Sequence, residues 1–204
     1  VNSLLAALIK NVPLTGAISR DAAAFLAHHH APHTIGHCAR VAAAARQLAE
    51  RSGVDTSAAE AAGWLHDIST VIPNNERIAY AEAWGIAILA EERQAPMIVH
   101  QKLSAYMAQH LFQISDPSII SAIGCHTTLR PGASLLDKIV FIADKLKWDG
   151  AGDPPYGAEL EAAILHSIDA ATNWFLCYLW ERRSTLLVIH PWLAAAYAEV
   201  SANS

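Results

Sequence analysis

Long apolar runs are missing from this chain: none reaches the ~18 uninterrupted residues of a membrane-spanning helix, which excludes that class of protein. Thiols are scarce. Cys38, Cys125 and Cys177 form no CxxC pair, and their odd number argues against a disulfide framework and for a reducing, cytoplasmic setting. Charge is scarce as well, at 16% of residues, and the net charge of −5 is interspersed, so no basic stripe offers counterion release to nucleic acid. The apolar start at residues 1–10 has no basic leader before it and reads as an amphipathic first helix rather than an export signal. Repeats and linker-like segments are absent too, so 204 residues imply a single domain with a substantial core.

What is abundant is alanine among 53% hydrophobic residues, a composition suited to closely packed helices. The fold class is all-α. Apolar periodicity predicts a helix over 19–29 opened by Ser19 and Asp21, and one over 33–52 stopped by Gly53. The next is capped by Asp55, Thr56 and Ser57, with Glu60 in the capping-box position, and runs to His66-Asp67. Helices follow over 76–84, 88–94 and 98–111, then one from Asp116-Pro117 to His126 and one over 134–148. A long aromatic-rich helix is expected over 156–183, with a face suited to a homodimer, and Pro191 opens the last.

The stretch that organises the chain is Ala62-Gly63-Trp64-Leu65-His66-Asp67, a small apolar helical run that ends on an imidazole and a carboxylate. Alone, such a dipeptide is ordinarily a core histidine and a cap. Here it has company. His37, His100, His126 and Asp144 each sit on or beside an apolar helical face, where a polar group loses hydration unless a partner replaces it. Asp137 and Asp144 share a face of one apolar helix, as a ligand and an acceptor for a ligand imidazole would. Imidazole with carboxylate and without thiolate suits iron, manganese or zinc, and four His with two Asp suffice for two divalent ions bridged by Asp67. A paired-metal centre serves displacement at phosphorus. The histidine-dense segment 28–33 is a second place where metal chemistry or the entrance to a site is conceivable, although exposed His tracts also collect ions without function.

The order of His37 in Gly36-His37-Cys38, His66-Asp67 and Asp144 in Ile142-Ala143-Asp144 resembles the HD-domain metal-dependent phosphohydrolases. Val99-His100, His126-Thr127-Thr128 and the segment 136–144 make it most similar to their bacterial YqeK-type branch, over about residues 33–190. The resemblance implies an HD-domain helical bundle over 33–204, with helices of 1–32 packed on it. It further implies two iron ions, and symmetrical cleavage of diadenosine tetraphosphate into two ADP by a metal-bound hydroxide. Carried over, His37, His66, Asp67 and Asp144 hold one ion and Asp67, His100 and His126 the other, with His66 and Asp67 as the catalytic pair. Arg130, Lys145, Lys138 and Thr127 are candidates for the small-molecule nucleotide's phosphates, and His33 for a proton donor. Thr70, Leu129 and Lys147-Trp148 depart from the branch pattern and bear on which nucleotide is taken. The alternatives are a nucleotide phosphomonoesterase or phosphodiesterase with the same metals, and a sensing module that binds without turnover.

Overall fold

The computed structural model describes residues 3–150 and 152–202, so the first two residues of the expected first helix and Ala151 of the following loop region lie outside the described residues. Twelve α-helices and no strand occur among the described residues. Two short elements, α1 (Ser3–Leu8) and α2 (Ile18–His28), lead into α3 (Pro32–Ser52). Leu5, Leu8, Phe25 and Leu26 join the same hydrophobic core as everything after them. Asp21 does not open α2 as expected: its carboxylate folds back to accept from the Thr15 and Gly16 backbone N–H groups and the Thr15 hydroxyl. Gly53 does end α3, in the left-handed region at φ 67°.

The helix carrying the His-Asp pair, α4 (Thr56–Leu65), packs along α3 more extensively than any other pair of elements. Gly63 is the reason they can approach so closely, since a Cβ there would lie 2.5 Å from the Ala42 Cα. The cap of α4 is Asp55, which accepts from the Ser57 and Ala58 N–H groups. Glu60 closes no capping box; it pairs with Arg46 at 2.9 Å instead, because the shorter Asp55 side chain already satisfies the free N–H groups. A 3₁₀ turn, Ile68–Val71, then carries the chain to α5 (Arg77–Ala83) and α6 (Ala90–Gln94).

Beyond a second 3₁₀ turn, Pro96–Val99, come α7 (His100–His110), α8 (Pro117–Cys125) and α9 (Leu135–Leu146). Asp116 caps α8 through the Ser118 N–H. Ser134 and Asp137 cap α9 reciprocally. The end of α9 falls at Leu146, two residues before the expected limit, with Lys147 as its cap. The long helix expected over 156–183 is two helices, α10 (Gly157–His166) and α11 (Ile168–Glu181). Ser167 breaks it: its backbone is extended and its hydroxyl accepts from the Ala170 N–H, a local bond that competes with helix continuation. The last helix is α12 (Pro191–Ala202). No described helix is long and apolar enough to cross a membrane.

Candidate metal centre

Five elements deliver six side chains to one place. His37 points inward from the middle of α3, His66 and Asp67 leave the end of α4, His100 begins α7, His126 follows α8, and Asp144 stands on α9. His66 and His126 are buried at 0% and 1% exposure, whereas Asp67, His100 and Asp144 keep about a sixth of their side chains accessible. The cluster therefore has one open side, bordered by Asp67, His100 and Asp144.

Asp67 divides the cluster into two groups. Its Oδ2 lies 3.7 Å from His37 Nε2 and 3.6 Å from His66 Nε2, and these two nitrogens are 3.1 Å apart. Asp144 Oδ1 completes that group at 3.2 Å from His37 Nε2 and 3.6 Å from His66 Nε2. The other oxygen, Oδ1, lies 3.2 Å from His100 Nε2 and 3.5 Å from His126 Nε2, which are 2.9 Å from each other. Among the described residues, His37-His66-Asp67 and Asp67-His100-His126 are the sets of three donors able to hold an ion.

Three of the four imidazoles are oriented by the backbone, whereas His37 Nδ1 is buried without a hydrogen-bond partner. His66 Nδ1 donates to the Gly63 carbonyl and His126 Nδ1 to the Ile123 carbonyl, each at 2.8 Å, and His100 Nδ1 donates to the Met97 carbonyl. Each acceptor is three residues earlier, a carbonyl at or near a helix end. With the proton on Nδ1, the lone pair is on Nε2 and faces inward. Asp137 is thus not the acceptor for a ligand imidazole that its position on α9 suggested. It is consumed by the α9 cap and by the Ser121 hydroxyl at 2.6 Å.

Lone pairs facing each other across about 3 Å repel unless a cation sits between them. Ligands bonded at about 2.0–2.2 Å stand about 2.8–3.6 Å from each other in octahedral to tetrahedral shells, close to the 2.9–3.7 Å between the donors here. Buried Asp67 Oδ1 has no hydrogen-bond donor, as a carboxylate oxygen reserved for a metal would not. The electrostatics agree. Burial would raise both carboxyls, but the neighbouring His66, His100 and His126 hold Asp67 well below the usual range, and Lys145, His37 and His66 do the same for Asp144. Burial pushes His126 down to about 4, leaving it neutral at ordinary pH. Burial would lower His66, but the Asp67 charge and Asp144 raise it well above the ordinary value: with no cation between them, the two carboxylates draw a proton onto the Nε2 that faces them. Two ionised carboxylates facing a buried imidazole demand a positive charge, and the donor set fits a divalent ion.

Residues that sequence reasoning passed over hold this arrangement. Buried Gln101 spans α7 and the loop after His126, accepting from the Thr127 N–H at 3.1 Å and donating to the Thr128 hydroxyl at 3.1 Å. Ser69 donates to the His100 carbonyl at 2.8 Å and is bonded to Ser104, which ties the turn after Asp67 to α7. Arg77 donates to the Met97 carbonyl, the same oxygen that orients His100.

The candidates for phosphate contact separate. Thr127 Oγ1 lies 3.2 Å from His100 Nε2, and Lys145 Nζ lies 2.6 Å from Asp144 Oδ2 and 3.3 Å from the His126 carbonyl. Lys138 is elsewhere, paired with Asp169 at 2.7 Å. Arg130 leans on Asp137 at 3.6 Å, and the cavities of about 340 and 250 Å³ that it borders contain none of the six converging side chains. Thr70 donates to the Asp67 carbonyl, and His33 is exposed on the first turn of α3. The segment 28–33 forms no donor group among the described residues; His29 instead donates to the Leu8 carbonyl and pins α1 to α2. Cys38 and Cys125 are buried, burial with the nearby Asp137 pushes the Cys125 thiol up to about 12, and neither cysteine belongs to a donor group among the described residues.

Residues 34–149 match the HD domain family. An uncharacterised protein encoded in the pepC 5′ region of Lactococcus lactis subsp. cremoris is 43% identical over 143 residues, 70% of this chain and 72% of that protein. The symmetrical bis(5′-nucleosyl)-tetraphosphatase of Bacillus subtilis is 34% identical over 124 residues, 60% of this chain and 63% of its own length, so less than two thirds of that relative is spanned. A crystal structure of a predicted HD superfamily hydrolase involved in NAD metabolism from Clostridium acetobutylicum superposes with a TM-score of 0.79 at 23% identity, over 91% of this chain and 97% of that one, a likeness of fold.

Proposed function

The chain belongs to the HD-domain family, and from that membership we propose that it is a metal-dependent hydrolase of nucleotide phosphoanhydride bonds, which cleaves diadenosine tetraphosphate symmetrically into two ADP. One observation carries the reading: the two oxygens of Asp67 face two separate sets of donors, with three buried histidines behind them. His37, His66, Asp67 and Asp144 would hold one divalent ion, and Asp67, His100 and His126 the other. Iron is the first choice, with manganese or zinc able to use the same ligands. When bound, such a pair supplies Lewis acidity at phosphorus and acidifies a water.

The remaining roles follow from position. Lys145 offsets the charge of Asp144 at the open side and, with the Thr127 hydroxyl beside His100, is the group proposed to meet the phosphate chain. Arg130 reaches it only by leaving Asp137. Names of relatives support the substrate, as the Bacillus subtilis tetraphosphatase does. Three free thiols and the absence of a membrane-length helix among the described residues support a reducing, cytoplasmic setting. The test is product analysis: ADP alone from diadenosine tetraphosphate supports the proposal, and inorganic phosphate from a nucleoside monophosphate would instead mark a phosphomonoesterase.

A further inference from the structure

We propose that Arg77 is a positioning residue for one of the two ions, the one assigned to Asp67, His100 and His126, and leaves the other untouched; this rests on the two-ion reading above. Arg77 is the first residue of α5, and its hydrogen bonds go to none of the six converging side chains. Its guanidinium instead bridges two stretches of backbone: Nε donates to the Ile72 carbonyl at 3.3 Å and Nη1 to the Met97 carbonyl at 3.0 Å. Ile72 closes the 3₁₀ turn that follows Asp67, and Met97 lies in the 3₁₀ turn that precedes His100. One planar fork thus spans the gap between the carboxylate that both groups share and the first histidine of the second group. The Met97 oxygen is also the acceptor for His100 Nδ1, so whatever fixes that carbonyl fixes the direction of the imidazole.

The helix that carries Arg77 gains nothing from it. A cation in the first turn opposes the helix dipole, and burial works against the guanidinium charge, whereas the Asp67 carboxylate works for it. The two donor groups depend on this clamp unequally. His37, His66 and Asp144 stand on α3, at the end of α4 and on α9, three helices that pack directly against one another. The contacts of α5 are with α7 and the turn before it, on the His100 side of the centre. There the segment after Asp67 is tied to His100 twice, by the buried Ser69 hydroxyl on the His100 carbonyl at 2.8 Å and by the half-buried Arg77. Removing Arg77 leaves the Ser69 bond in place. Asp67 Oδ1 and His100 Nε2, 3.2 Å apart, therefore loosen rather than separate, and the loss belongs at the lower end of the roughly 10–100-fold range for a missing outer partner of a metal ligand.

The test is manganese titration of the metal-free full chain, read by bound metal and by electron paramagnetic resonance, in which two ions sharing a carboxylate couple and a lone ion gives its own spectrum. Arg77→Met keeps the apolar stem and removes the fork. The second manganese is expected to bind about tenfold more weakly, and the first to move by less than about twofold. At a manganese concentration that just saturates wild type, the coupled spectrum therefore gives way to that of the lone ion. In a His126→Ala background, which has already lost the second group, adding Arg77→Met is expected to change nothing further. Arg77→Lys, which keeps the charge but lacks the fork that reaches both carbonyls, repeats the comparison if Arg77→Met does not fold, and weakens the second ion alone. Equal losses at both ions, or a second ion held as in wild type beside a lowered Tm, overturn the proposal. Wild-type protein that takes up a single manganese removes the two-ion reading and the proposal with it. Two coupled ions without hydrolysis of any nucleotide defeat the proposed activity, and the selective loss in Arg77→Met still upholds the role of Arg77.

Discussion

Replacing Gly63 by alanine tests how tightly packing and chemistry are joined in this fold. In an exposed helix the change would stabilise by about 1 kcal/mol, because glycine is the poorer helix former. At Gly63 the added Cβ would meet the Ala42 Cα at 2.5 Å and the Ala42 nitrogen at 2.8 Å, both backbone atoms of α3 that no rotamer change can move. Overpacking costs about 1–3 kcal/mol in a dense core, and a clash with backbone belongs at the upper end. The expected net is a loss of about 1–2 kcal/mol, read as a fall in Tm of roughly 2–8 °C for a domain of this size. A second effect follows. The Gly63 carbonyl orients His66, so α4 pushed away from α3 carries that imidazole away from His37. Metal affinity should fall with stability, by about 10–100-fold, the range for disturbed outer partners of a metal site. Thermal melting of the metal-free protein and competition against a chromogenic chelator measure the two separately. A Gly63→Ala protein that melts higher than wild type, or that loses stability with metal affinity intact, refutes the reasoning.

Asp67→Ala removes the residue shared by both donor groups, so metal analysis should find both ions weakened, and turnover should fall by about a hundredfold or more. Gln101→Leu strands the Thr127 N–H and Thr128 hydroxyl in the interior and should cost about 1–3 kcal/mol in denaturant unfolding. Glu92→Gln breaks a buried cluster in which Lys102 lies at 2.7 Å and His190 at 3.3 Å, and should cost about 3 kcal/mol at neutral pH. The pH dependence has a definite sign. Burial would raise the Glu92 carboxyl, but the His190 bond, the Leu89 N–H and Lys102 outweigh it and hold it below its ordinary value. At acid pH the unfolded chain therefore binds the extra proton, so this stabilisation is present above the ordinary glutamate pKa of about 4.3 and is lost as pH falls further. Unfolding free energies measured from pH 6 to 3 should fall less steeply in Glu92→Gln than in wild type; equal slopes would show that Glu92 titrates unshifted.

The helical periods of α3, α7, α8 and α9 were legible because their apolar faces repeat without interruption, and the same faces exposed His37, His126 and Asp144 as polar residues in apolar positions. What periodicity could not show was a break that preserves helical phase. Ser167 ends one helix and caps the next, so the face continues across it. Asp137 was misread for a related reason: a carboxylate on a buried face looks like a ligand until its own helix start is seen to need it as a cap. Gln101, Ser69 and Arg77 escaped because their backbone partners are 20 to 31 residues away, and no spacing in the chain encodes such a bond. Lys138 shared the charge of a phosphate ligand without its location. Charge is readable from a sequence, whereas the direction in which it points depends on which helices meet.

The measurement closest to the central claim is metal content and product in one anaerobic preparation: bound metal per chain, and ADP released from diadenosine tetraphosphate. The account predicts about two ions per chain and ADP as the sole product, both lost together in Asp67→Ala. Two ions with no ADP would contradict the substrate, and a chain that binds no metal would contradict the centre itself.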